Sequence, residues 1–132
     1  MSTTQPIRSK QLLHDFKEYY LTKQPNFRNY TLILIGLNTA LRINDILHLT
    51  WGDVYCTEHS RFYTHLLITE KKTEKETRIL INRELQETLL SYRKTQTSIA
   101  DTDYLFPSPR KADSPLSRYQ AYRIVRKAAE AV

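Results

Sequence analysis

An arginine and a carboxylate three residues apart, Arg42 and Asp45, sit inside an otherwise apolar stretch that runs from Thr39 to Val54. Arginine keeps its charge in proteins, so placing one among apolar neighbours is costly unless an anion meets it. Two anions could do so. One is internal: Asp45, which makes Arg42 a helix-end arginine with a structural partner. The other is external: a phosphate, which a guanidinium suits because its planar fork donates to two oxygens at once. Residue chemistry alone leaves both readings open.

The pattern around the pair is more specific. The run Ala40-Leu41-Arg42-Ile43, then Asp45-Ile46-Leu47, Leu49 and Trp51-x-Asp53-Val54, resembles the first arginine box of the tyrosine recombinases, the phage-integrase family. In that family the acid is more often Glu, and a Gly often precedes Leu-Arg. Asp45 and Ala40 stand at those places here. The resemblance implies a catalytic domain that breaks and rejoins DNA strands with no cofactor and no metal. Such chemistry needs cationic donors for the charge that grows on the non-bridging phosphate oxygens. It needs a general acid for the departing 5′ oxygen and a nucleophile that holds the strand end covalently. The resemblance gives the first task to Arg42, with Asp45 as a supporting carboxylate.

It continues downstream. Lys72-Thr73-Glu74-Lys75-Glu76 is similar to the family's Lys-Thr-x-Lys pattern on a β-hairpin turn, and carries the catalytic lysine onto Lys72. An ordinary lysine titrates at about pH 10, so acid work at neutral pH requires a site that depresses that value or helps deliver the proton. Lys71 and Lys75 are neighbours that could be mistaken for Lys72, and both are assigned to DNA contacts. Apart from the resemblance, this run is a solvated hairpin tip of mixed charge. Trp51 and Asp53 are expected to pack and cap the junction into the first strand.

These residues need elements to hold them. Apolar positions Leu12, Leu13, Phe16, Tyr19 and Tyr20 recur at helical spacing from about Ile7 to Lys23. Pro25-Asn26 ends that pattern, and a central helix starts near Phe27 with Tyr30, Ile33, Leu34, Leu37 and Leu41 as its apolar set. Asn44 is expected to cap a short third helix reaching Leu49, which leaves Arg42 in a bend between two helices. The period then changes to strands at 54–56, 61–69 and 77–81 around the 70–76 tip. Asn82 is expected to cap a helix to about Lys94, with Leu85, Leu89 and Tyr92 on one face. Residues 101–115 read as loop, with Tyr104-Leu105-Phe106 docked on the core. A last helix, from about Ser117 to Ala131, is expected to turn Tyr122, Val125 and Ala129 inward and Arg123, Arg126 and Lys127 outward. The fold class is therefore α+β, mainly helical with a small three-stranded antiparallel sheet, as in part of a tyrosine-recombinase catalytic domain.

A chain of 132 residues has room for one modest core. We read 1–132 as a single partial catalytic domain with 1–5 a loose tail. No apolar run approaches the roughly 20 residues of a membrane span, so no membrane partner is expected. The polar N-terminus has no signal-peptide core, which points to a cytoplasmic location, and the resemblance implies association with the nucleoid. Cys56 is the one cysteine, and the four histidines fall in no ligand pattern. The net charge is +6, and the surplus is local. Arg93, Lys94, Arg110, Lys111, Arg118, Arg123, Arg126 and Lys127 face only Asp101, Asp103 and Asp113 over that stretch, which favours a polyanionic partner. Arg110, Lys111, Arg118, Arg123, Arg126 and Lys127 are the candidates for contacts to the backbone of double-stranded DNA, contacts that position a duplex rather than read it.

One half of the family's machinery has no match. No histidine precedes an arginine by three, and no such box surrounds Tyr119 or Tyr122. We therefore expect a fragment without the core-binding domain or the nucleophile segment, inactive alone and prone to self-association, whose parent would act with other protomers in a synaptic complex. Two further classes remain: a stand-alone basic DNA-binding or regulatory module, and a protein-interaction domain with an incidental basic face.

Overall fold

Helix α2 (Phe27–Asn38) is the axle of the fold. Every residue from Asn29 to Ile35 is buried, because the helix is wrapped on one side by α1 (Lys10–Thr22) and on another by α5 (Arg83–Lys94). The computed structural model describes residues 10–69, 73–97 and 99–132. α2 starts where the sequence says it should: Asn26 is its N-cap, and the side-chain oxygen accepts from the Asn29 N–H at 3.1 Å. α1 buries Phe16, Tyr19 and Tyr20. Leu12 and Leu13, expected on the same face, are instead 41% and 42% exposed, as is Leu37 near the end of α2 at 46%. In each case the helix runs past the edge of the core that its middle serves.

Two short helices follow, α3 (Ile43–Leu47) and α4 (Trp51–Val54). The expected Asn44 cap is not used. The helix starts earlier, on the extended backbone of Arg42, whose carbonyl accepts from the N–H groups of Asp45 (3.0 Å) and Ile46 (3.1 Å). That start turns Ile46 and Leu47 into the core. α4 opens on Thr50, whose N–H donates to the Asp53 carboxylate at 2.8 Å. Trp51 is buried, so this pair packs and caps as its residue types imply.

The strands are β1 (Tyr55–Cys56), β2 (Arg61–Phe62), β3 (His65–Thr69) and β4 (Glu76–Leu80). They form two antiparallel pairs, β1–β2 and β3–β4, in place of one three-stranded sheet. The cause lies at 63–64. Tyr63 donates its N–H back to the Val54 carbonyl (2.8 Å), while the Thr64 carbonyl accepts from Ile81 (2.8 Å). The extended segment 61–69 thus pairs with its two neighbours in succession and not side by side. In the β3–β4 hairpin, Leu66 faces Ile79 and Ile68 faces Thr77.

α5 is capped by Asn82, whose side chain accepts from Leu85 N–H, and buries Leu85, Leu89 and Tyr92 on one face. The loop beyond it seals the core with Leu105 and Phe106, both fully buried. Leu105 N–H bonds the Leu49 carbonyl, and Gly52 N–H bonds the Asp101 carbonyl at 2.9 Å. That approach is close: a Cβ at Gly52 would lie 3.0 Å from the Asp101 carbonyl oxygen.

α6 (Arg118–Glu130) begins at Ser117, which with Gln120 forms a capping box. It packs on α1 and α3. Its buried face is Ala121 and Ala128, with Ile124 and Val125 packed beside them. The expected inward residues were Tyr122, Val125 and Ala129. Tyr122 is 53% exposed and Ala129 is exposed, because small residues let α6 approach its neighbours more closely than a tyrosine would.

Tyr92 gives a pH test of this core. Its hydroxyl donates to the Leu105 carbonyl at 2.5 Å, and burial pushes its pKa up to about 12. Below about pH 10 the phenol is protonated in folded and unfolded chains alike, so Tyr92 adds no pH dependence to stability there. Between about pH 10 and 12 the unfolded chain loses the proton first, and stability falls by on the order of 2 kcal/mol. Tyr92→Phe should cost about 1–2 kcal/mol at neutral pH, by orphaning a buried carbonyl, yet flatten that alkaline decline. Urea unfolding from pH 7 to 12 checks both.

Candidate functional site

The bend between α2 and α3 is fixed from both ends. At its start, Asn38 donates its side-chain amide to the Leu34 carbonyl (2.9 Å), and the Thr39 hydroxyl donates to Ile35 (2.8 Å). At its end, the Arg42 carbonyl begins α3. The apolar neighbours Leu41 and Ile43 pack partly on the core, so Arg42 itself points away from it. Arg42 is exposed, where an apolar setting suggested burial. Among the described residues no ion pair joins it to Asp45, nor does its side chain make a hydrogen bond. The internal partner is therefore not taken up, although Asp45 is half-buried one turn away.

Arg42 and Asp45 instead share a cleft of about 180 Å³ with the hairpin. One wall is Ala40, Leu41, Arg42 and Asp45, and the other is Ile68, Thr77 and Ile79 of β3 and β4. A second contact fixes the two walls. Asn82, just past β4, donates its amide to the Asn38 side-chain oxygen at 2.7 Å, tying the root of the hairpin to the end of α2. The sequence marked Asn82 as a cap, and it is one; nothing local marked its long-range partner.

Lys72 and Lys71 lie outside the described residues. Lys75 is exposed, on a turn where Glu74 takes a left-handed conformation (φ 54°) and the Lys75 N–H reaches the Thr73 hydroxyl at 3.3 Å. Arg110 and Lys111 are exposed on the loop that precedes α6. Arg118, Arg123, Arg126 and Lys127 are all exposed along α6, which packs on α3, the helix that Arg42 opens. Arg93 belongs elsewhere. Its guanidinium lies 3.9 Å over the Tyr55 ring and 5.6 Å from that of Trp51, a cation–π brace for the α4–β1 junction. Among the described residues no group of three or more His, Cys, Asp or Glu could hold a metal ion, and no helix is long and apolar enough to cross a membrane.

The arginine bend facing a β-hairpin, within this helical frame, defines a class. Residues 4–132 match the model of the phage integrase family, and the chain belongs to that family, the tyrosine recombinases. It is similar to a probable integrase/recombinase, YoeC, of Bacillus subtilis (strain 168), with 43% identity over 131 residues, covering 99% of this chain and 66% of that protein. Solved structures share the fold, among them a recombinase and an integrase. The crystal structure of XerA recombinase superposes with a TM-score of 0.73 at 20% identity, over 98% of this chain and 44% of that one. The Tn1549 transposon integrase (residues 82–397) in complex with circular intermediate DNA superposes with a TM-score of 0.61 at 19% identity, over 99% of this chain and 47% of that one. The chain thus spans just under two thirds of the curated relative and less than half of either solved chain.

Proposed function

We propose that these 132 residues form the phosphate-gripping part of a site-specific recombinase that integrates or rearranges DNA by phosphoryl transfer. The observation that carries the reading is the shared cleft: Arg42, exposed and without an ion pair among the described residues, opens onto the same space as the hairpin strands that flank Lys72 in sequence. An uncompensated guanidinium beside a concave wall is a seat for a phosphodiester. In this reading Arg42 neutralises charge on the non-bridging oxygens as phosphorus becomes five-coordinate. Lys72 protonates the 5′ oxygen, and Asp45 supports the arginine centre. Lys71, Lys75, Arg110, Lys111, Arg118, Arg123, Arg126 and Lys127 hold the duplex backbone, and further protomers complete the synapse. The name of the Tn1549 relative's complex, which holds DNA, agrees with this partner, and the working place is the cytoplasmic nucleoid.

The 132-residue polypeptide has no His-x-x-Arg box, and we propose that it binds duplex DNA without cleaving it. Binding should fall linearly in log K against log salt, with a slope that reports several phosphate contacts. Incubation with a suicide substrate should leave no protein attached to DNA on a denaturing gel. A tyrosine-linked adduct would overturn the proposed inactivity. Failure to bind duplex at low salt would overturn the DNA reading and leave the protein-interaction class.

A further inference from the structure

A second concavity lies at the opposite end of α2 from Arg42. Twelve residues of helix separate the two, about 18 Å at 1.5 Å per residue, so one phosphate cannot occupy both. This groove holds about 310 Å³. One wall is α6, with Arg123 and Lys127; the other is the α1–α2 turn, with Gln24 and Asn26, and the first turn of α2, with Asn29. Tyr20 lies between them, its hydroxyl already donated to the Ile124 carbonyl at 2.7 Å.

The chemistry of the lining is one-sided. It contains two cations, three side-chain amides and no carboxylate. Arg123 and Lys127 are four apart on one helix, where like charges repel, and among the described residues neither has an ion pair. Asn29 is 8% exposed. Its Oδ1 accepts from Arg28 Nε at 3.0 Å, which leaves the NH2 as the end with no hydrogen-bond partner among the described residues. Cations on one wall and amide donors on the other suit a tetrahedral oxyanion, which takes several donors at once. An acidic side chain, with its two oxygens, would use fewer of them.

We propose that this groove seats a phosphodiester of the DNA backbone, at a point on the duplex distinct from the one Arg42 holds. The inference rests on the recombinase reading and adds Asn29, with Gln24 and Asn26, to the residues that grip the duplex.

The test uses the 132-residue polypeptide labelled with 15N. Titration with a duplex should shift the side-chain signals of Asn29 and Arg123 as well as that of Arg42. Inorganic phosphate, against chloride at matched ionic strength, should shift the groove signals in the same direction. Arg123→Gln with Lys127→Gln should abolish the Asn29 shift and lower the slope of log K against log salt by about 2. The decisive variant is Asn29→Asp. An acid in the first turn of a helix suits its dipole and still accepts from Arg28, so folding should hold. Duplex affinity should nevertheless drop about tenfold or more. Gln96→Glu, which adds the same charge outside the groove, should change affinity less than about twofold. Equal losses for the two variants would overturn the groove. So would groove signals that answer to polyglutamate or inorganic phosphate but not to duplex. Shifts at Arg42 without shifts in the groove overturn the groove alone, whereas a duplex that moves neither set overturns the recombinase reading with it.

Discussion

Arg42→Ala is expected to slow strand cleavage by about 10²–10³-fold, the usual cost of removing one preorganised donor from a developing oxyanion. The measurement needs a polypeptide that joins this segment to the His-x-x-Arg box and tyrosine of the family. Duplex affinity should fall by less than about tenfold, because the proposed backbone contacts are many and each contributes a share. Stability should barely move. Arg42 is exposed and has no ion pair among the described residues, so truncation orphans nothing, and substitutions of that kind stay within about 0.5 kcal/mol. The three readouts together separate a chemical role from a structural one. Arg42→Lys sharpens the point. It keeps the charge and loses the fork, so a rate near that of the alanine variant assigns the effect to two-oxygen geometry. Cleavage undiminished in Arg42→Ala would sink the proposed function.

What the sequence disclosed about this fold follows a physical division. Helix starts were legible in part, because a cap acts over only three residues: Asn82 sits where its side chain reaches the Leu85 N–H, whereas Asn44, of equally suitable type, lies inside α3, which starts on the backbone of Arg42. The arginine bend was legible because its pattern is contiguous. The face of α6 was not. An apolar ranking turns Tyr122 inward, but a helix lying close against α1 and α3 selects Ala121 and Ala128 for lack of bulk, and the tyrosine is left outside. The sheet was half legible. Residue types marked 61–69 as extended, yet where it changes partners depends on Val54 and Ile81, which lie outside the segment on either side. The Asn38–Asn82 bond, which joins the two walls of the cleft across 44 residues, has no local signature at all. Local rules marked the arginine bend and the strands that line the candidate cleft. The contacts that bring its walls together are long-range, and one sequence does not display them.

The same logic singles out the lysine. In a cleavage-competent polypeptide, Lys72→Ala is expected to slow cleavage by about 10²–10⁴-fold, the range that general acid catalysis supplies. A substrate whose 5′ bridging oxygen is replaced by sulfur should restore most of that rate, since a thiolate leaves without needing a proton. The same substrate should not rescue Arg42→Ala, whose defect lies on the non-bridging oxygens and is indifferent to the leaving group. Lys75 is the internal control. It is exposed on the turn and is proposed to hold backbone phosphate, so Lys75→Ala should weaken binding modestly and respond to sulfur no more than the unsubstituted protein does. Sulfur rescue of Lys75→Ala and not of Lys72→Ala would move the acid along the hairpin. Rescue of neither would remove the acid from the hairpin altogether, and the cleft would then be a phosphate clamp served by Arg42 without a proton donor opposite.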